Sequence, residues 1–353
     1  MSNRTPVDFI KYFMFIFCLA TLLFGVASLS CAGKIKRIIL METMPVPVVL
    51  EHSRWFLTQL GEMGYKEGEN MRLVLLQPNG DRTRAESLLK QALAGGDPDL
   101  VVTNATLASQ TAARVLKGTA IPILFMTVSD PVGAGLIRKV GAPTGTNITG
   151  KVHMIDRETR IDMVMGLIGD RVLRKPVRMG FVHSSYPSAV GDLRELSAAA
   201  KSRGDILFVP FQVDYRKVPQ GLPGMLKEVL QGIETIRDQV DFWWEPSGPL
   251  GEVGAYTRAL LEHSSASVVM GTKLESVKLG ALLHLTPSIE ASGRETAMLA
   301  DAILKGEDPG KIPVTPPTSF ELGINLTTAL ENKIVVPPDL LELAGEHIYR
   351  LEK

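Results

Sequence analysis

The polar residues able to do chemistry in this chain gather where apolar runs stop. Thr103, Asn104 and Thr106 follow Leu100-Val101-Val102, and Ser129 and Asp130 follow Phe125-Met126-Thr127-Val128. Ser184, Ser185 and Tyr186 follow Val177 to His183. Trp244 and Glu245 close the run Phe242-Trp243-Trp244, and Thr272 and Lys273 follow Ala266 to Met270. The chemistry these types support is recognition. A carboxylate such as Asp130 or Glu245 accepts from a ligand N–H or ammonium. Ser184, Ser185 and Ser188 stand at a helix start, where backbone N–H groups suit an anion. Each also has a structural alternative: Asp130 and the serines as helix N-caps, Glu245 as a solvent-facing charge. No nucleophile elbow, HExxH or P-loop accompanies them, and Gly133-Ala134-Gly135 lacks the third glycine of GxGxxG. The six histidines have no partner at i+3 or i+4, so no metal site and no cofactor is expected. Among them His153 and His183 stand out, one at an inferred crossing between domains and one at a strand end.

Strands must present these positions. Ile121 to Val128 is short and apolar, with Pro122 near its start and Pro131 past its end, the pattern of a buried strand. Asp130-Pro131 then reads as a helix start. Upstream lie a strand at 35–41, a helix at 51–63 with Phe56, Leu60 and Met63 on one face, and a strand at 72–76. A strongly periodic helix follows through Ala85, Leu88, Leu89, Ala92 and Leu93, then a strand at 99–103 and a helix at 107–116. Alternation with helix-length crossovers predicts a parallel sheet covered on both faces, with ligands outside the carboxyl ends of its strands.

Gly141 to Gly150 is rich in Gly, Pro, Thr and Asn and reads as a crossing into a second series. There, helices at 156–169, 189–203, 224–238 and 252–264 alternate with strands at 177–183, 205–211, 241–244 and 266–270. Segments at 281–285, 290–305, 320–326 and 338–345 form a tail long enough to cross between the series again. Neighbouring side chains on a strand face opposite ways, so one of Trp243 and Trp244 belongs to the core and the other can face the cleft; Trp244 is the candidate.

With 353 residues, 45% hydrophobic and 22% charged, the chain has room for two domains. Its 38 basic and 38 acidic residues leave no net charge and no basic field for nucleic acid. Residues 1–32 differ in character. Arg4 and Lys11 precede an apolar run from Tyr12 to Leu29, with small residues at its end and just past it, Ser28, Ser30 and Ala32, the layout of an export signal. The alternative is a retained membrane anchor. Cys18 would leave with the signal. Cys31 stands where a lipid-modified bacterial N-terminus would begin, although Ser28-Leu29-Ser30-Cys31 is only a loose lipobox; cutting after Ala32 would remove it. Neither outcome leaves a disulfide or thiolate site.

Several segments carry a family likeness: Leu60 to Asn70 (LGEMGYKEGEN), Asp97 to Val102, Ser129 to Leu136 (SDPVGAGL), Gly145 to Gly150, Ile303 to Pro309 and Pro337 to Leu341. Over about residues 35–345 the chain resembles the periplasmic solute-binding components of ABC importers, a group with tryptophan- and tyrosine-binding members. The resemblance implies an α/β, type I periplasmic-binding fold: two Rossmann-like lobes with parallel sheets joined by three crossings. Lobe 1 would comprise 33–152 plus about 285–318, and lobe 2 153–284 plus about 319–353. It implies a non-catalytic protein that closes on a small molecule by hinge motion and delivers it to a membrane permease. It carries over first-lobe contacts at Thr103, Asn104, Thr106, Ser129 and Asp130. Second-lobe contacts fall within Ser184 to Ser188, Glu245 to Ser247 and Gly271 to Ser276. The second lobe departs from the family pattern. Ser184-Ser185-Tyr186-Pro187-Ser188 replaces an Asn-Pro-Ser-Glu type of segment, and Pro246-Ser247-Gly248-Pro249-Leu250 replaces Pro-Thr-Asp-Asn-Thr. The ligand therefore stays open among an amino acid, an aromatic compound and a small anion. Alternatives to import are a receptor feeding a membrane signalling protein and an enzyme on the same scaffold.

Overall fold

The computed structural model describes residues 34–168, 172 and 175–350. The segment read above as an export signal, with Cys31, lies outside them. The first sheet has the order β2-β1-β3-β4-β5, all parallel: β1 Lys36–Glu42, β2 Met71–Leu76, β3 Leu100–Asn104, β4 Ile123–Val128 and β5 Ile148–Val152. Helices α1 Pro47–Glu62, α2 Arg82–Ala94 and α3 Thr106–Val115 connect these strands. Pro47 starts α1 from extended Val46, since a first-turn proline gives up no helical hydrogen bond. Asp81 caps α2 by accepting from the N–H groups of Thr83 and Arg84.

Two expectations fail here for local reasons. Gly141–Gly150 is not only a crossing, because its end forms edge strand β5. Gly150 permits this: a Cβ there would stand 2.3 Å from the backbone oxygen of Phe125. Asp130-Pro131 does not start a helix. Residues 131–135 form turns, with Gly135 at φ +73°. Two glycines within five residues each cost about 1 kcal/mol of helix propensity, too much for a segment this short to nucleate.

The second sheet has the order β12-β11-β10-β9-β8-β6-β7. Its strands are β6 Val177–Ser184, β7 Ile206–Val213, β8 Phe242–Trp244, β9 Val268–Gly271, β10 Leu283–Pro287, β11 Phe320–Asn325 and β12 Ile348–Tyr349. They are parallel except where β11 meets β10. The helices are α4 Arg157–Ile168, α5 Pro187–Arg203, α6 Leu222–Ile236, α7 Gly254–His263, α8 Leu274–Leu279, α9 Ile289–Leu304, α10 Leu326–Glu331 and α11 Pro338–Ala344. Three of these elements, α8, α10 and β12, were not expected from sequence.

Helix α9 leaves the second sheet and packs on α1. Gly293 allows the approach, since a Cβ there would stand 2.7 Å from that of Trp55. Ala297, Ala300 and Ile303 then cover Ile38, Leu40, Val102 and Leu124 on one face of the first sheet. Three chain segments pass between the sheets: after β5, between β10 and α9, and before β11. They lie side by side, with Val152 N–H donating to Thr315 O at 3.0 Å and Ser288 N–H to Ser319 O at 3.1 Å. Lys151 and Glu295 form an ion pair at 2.5 Å beside them.

Histidines mark this junction. His153 follows β5 and meets His52 of α1 edge to face, with centroids 4.5 Å apart. Nδ1–H of His52 donates to Val48 O at 2.7 Å. Burial lowers the pKa of both His52 and His284 from 6.5 to about 4. The folded protein keeps both rings neutral where the unfolded chain protonates them. Between about pH 6.5 and 4 the unfolded state therefore binds more protons. Stability should be fullest above that window and fall as pH is lowered through it. Urea midpoints measured across the window check this, and the His52→Gln/His284→Gln double variant should flatten the slope. A parent midpoint independent of pH would show that the rings protonate within the fold.

Candidate functional site

Because both sheets are mainly parallel, their strand ends at one edge present loops rather than hairpins. The two sets of loops meet around one cavity. It holds about 810 Å³ of empty space, mouth included. The part open to the centres of water molecules is about 90 Å³, room for roughly six to nine waters at ~10–15 Å³ each.

The first lobe gives an apolar wall. Met44, Val46, Val48 and Val49 come from the β1–α1 connection, with Ala105, Thr106, Thr127 and Ser129 from the ends of β3 and β4. Two of these hold left-handed backbone without being glycine: Ala105 at φ 76° and Thr127 at φ 57°. Thr127 sits at an irregularity in the β4–β5 pairing, and its Oγ1 is buried without a partner. Such conformations cost of order 1–3 kcal/mol each and collect at ligand clamps.

The second lobe gives a polar floor. Arg160 of α4 donates to Asp192 of α5 at 2.7 Å, and both side chains are buried. The other Asp192 oxygen accepts from Ser247 N–H at 3.1 Å. The Arg160 guanidinium stands 5.8 Å from the Trp244 ring centroid, and Phe208 meets the same ring edge-on at 5.5 Å. Glu245 is 1% exposed. Its Oε2 accepts from Ser276 Oγ at 2.7 Å and from Thr272 N–H and Oγ1 at 2.9 and 3.1 Å. Burial pushes the Glu245 carboxyl up despite these bonds. Burial also lifts Glu252, at the cavity edge, to about 7 against the pull of Lys273. Four buried polar atoms on the floor lack a hydrogen-bond partner: Trp244 Nε1, Arg160 Nε, Tyr186 Oη and Glu245 Oε1.

The structure brings Thr106, Ser129, Tyr186, Trp244, Glu245 and Thr272 to this cavity. It places the other sequence candidates elsewhere. Thr103 and Asn104 lie one step inside β3. Thr103 Oγ1 shares a hydrogen bond with Ser109, and Asn104 Nδ2 donates to Val49 O and Ser53 Oγ at 2.8 and 2.9 Å. Ser184 is buried at the end of β6. Ser185 accepts from Tyr215 N–H at 2.9 Å and lines a side cleft with Asp130 and Arg194. Asp130 accepts from Gly133 N–H at 2.7 Å and pairs across the lobes with Arg194, so it closes a turn and bridges the cleft rim. Lys273 turns away, held by the carbonyl of Glu252 and the carboxylate of Glu275. Trp243 is core, with Nε1–H donating to Ser264 Oγ at 2.5 Å.

Arg160 and Asp192 escaped the strand-end argument because they stand on helices. A signal existed. Arg160 shares a stripe with Val164 and Ile168, and Asp192 shares one with Leu196 and Ala199. A charge on a buried stripe needs a partner, and these two have opposite sign.

Among the described residues no group of histidine, cysteine and carboxylate could hold a metal, and no helix is long and apolar enough to cross a membrane. The chain resembles several known proteins. It is 24% identical over 296 residues, 84% of this chain and 80% of the other, to a tyrosine-binding protein of Clostridioides difficile (strain R20291). A Streptococcus pneumonia ABC domain solved with L-Trp superposes with a TM-score of 0.73 at 21% identity, covering 90% of this chain and all of that one. The ligand-free, open structure of a Clostridium difficile substrate binding protein with adhesive properties gives 0.62 at 22% identity, covering 90% and 99%. These likenesses show the type I periplasmic-binding fold. The family profile described as ABC transporter substrate binding protein matches residues 41–239 and 254–348. By that match the chain belongs to the ABC transporter substrate-binding proteins, a family that binds ligands and does not turn them over.

Proposed function

We propose that this protein is an exported receptor that closes its two lobes on one small molecule and presents it to an ABC permease. One observation supports this most: a single cavity lined by the strand ends of both sheets, in which buried donors and an acceptor stand without partners. Ordinary core residues satisfy such atoms internally. Thr106, Ser129, Tyr186, Trp244, Glu245 and Thr272 are the proposed ligand contacts, with Arg160 joining them from α4. The rim pairs Asp130–Arg194 and Asp81–Lys217 join the two lobes and would form on closure. They are partly exposed and set the open–closed balance more than overall stability. The proposed place of action is outside the cytoplasmic membrane, with a lipid at Cys31 or as a soluble form.

Thermal-shift screening against amino acids, aromatic compounds and small anions, followed by small-angle scattering on each hit, tests the reading. A true ligand at 100 times its Kd should stabilise by about 2.7 kcal/mol and reduce the radius of gyration. Hits that stabilise without compaction would sink the clamp.

A further inference from the structure

The charges around the cavity are unbalanced in a way that bears on its cargo. Arg160 is the sole lysine or arginine among the described lining residues, and Asp192 already neutralises it at 2.7 Å. Glu245 and Glu252 also line the cavity. Lys273 tempers Glu252 from behind, but its ammonium is held by the Glu252 carbonyl and the Glu275 carboxylate and does not line the space, so it offers a ligand no contact. Glu245 uses one oxygen for three internal donors and leaves Oε1 without a partner. A carboxylate entering here would find no free cation, and Glu245 and Glu252 would repel it wherever they are ionised. An ammonium would find the unpartnered Oε1 of Glu245 and would itself draw that buried carboxyl back toward its ionised form.

Resting on the solute-receptor reading above, we propose that the cargo is a carboxylate-free amine: a compact apolar or aromatic body whose ammonium donates to Glu245 Oε1. The body lies against Met44, Val46 and Val49 from the first lobe. A neutral oxygen on the cargo, such as a hydroxyl, accepts from Trp244 Nε1–H or Arg160 Nε–H, two of the three unpartnered donors of the floor, the third being the Tyr186 hydroxyl. Space for roughly six to nine waters corresponds to a molecule on the order of ten non-hydrogen atoms. An α-amino acid differs from its decarboxylated amine by the one group the charge balance disfavours.

Matched pairs test this directly. Tyramine and L-tyrosine, and tryptamine and L-tryptophan, are titrated calorimetrically into the purified protein. At least one amine should bind about tenfold or more tighter than its amino acid, and Glu245→Gln should remove most of that preference. N-acetyltyramine, which lacks the cation, should bind about tenfold weaker than tyramine to the parent protein, an independent readout if the variant folds poorly. An amino acid that binds as tightly as its amine overturns the amine proposal and leaves the receptor reading intact, because a ligand has been captured. Failure of every compound in both pairs also overturns the amine proposal, and the receptor reading then rests on the broader screen and the scattering data.

Discussion

Arg160→Ala is expected to destabilise the protein by about 3–5 kcal/mol, the usual consequence of stripping one partner from a buried ion pair. Arg160 and Asp192 are 5% and 4% exposed, so truncation leaves a carboxylate in the interior with only Ser247 N–H to satisfy it. The removed guanidinium also stands beside the Trp244 ring. Urea unfolding with an unchanged m-value gives the measure. The double variant Arg160→Met/Asp192→Leu should be less destabilised than Arg160→Ala, because neither charge is then unpaired, although Ser247 N–H loses its acceptor. Costs that simply add would show that the two side chains do not act as a pair.

Trp244→Ala is the second large effect. The side chain is fully buried and packs in one cluster with Phe208, Val269 and Leu283. Removing it leaves a cavity and costs about 3–5 kcal/mol. The same residue walls the ligand space, so truncation also enlarges the site. Trp244→Phe separates the two roles. It retains most of the packing and removes the indole N–H. Its stability should fall by roughly 1–2 kcal/mol, while affinity for a hydroxyl-bearing ligand drops by a similar amount. An affinity unchanged in Trp244→Phe would show that Nε1–H does not touch the cargo.

The alternating elements of both lobes are legible in the sequence because each strand is a short apolar run and each helix a periodic one. Where the structure departs from that reading, the pattern was missing for a reason. Strand β5 contains Gly150, whose lack of a side chain suits the contact with Phe125 and disguises the strand as loop. Helices α8 and α10 have six residues each, too few for a 3.6-residue period to show. The cavity is legible to the extent that it is built from strand ends, which is how Trp244 and Glu245 came into view. One residue earlier on a strand, the side chain turns inward, as with Thr103 and Ser184. One residue later, a flexible side chain can find local partners, as Lys273 does. The Arg160–Asp192 pair depends on two helices meeting, and only a charge on an apolar stripe announced it.

Helix α9 sets the order in which the molecule can be completed. It covers the Ile38, Leu40, Val102 and Leu124 face of the first sheet, and through Arg294 it reaches Gln59, 235 residues away in sequence. The lobe that begins first during synthesis is therefore finished late. Until residues 289–304 have emerged and docked, an apolar sheet face of the N-terminal lobe stays open, and every contact that closes it carries a long loop with it. The fold that later encloses a ligand thus passes through an interval in which its own first sheet is the surface most in need of cover, and that interval is when the chain is most exposed to pairing with its neighbours.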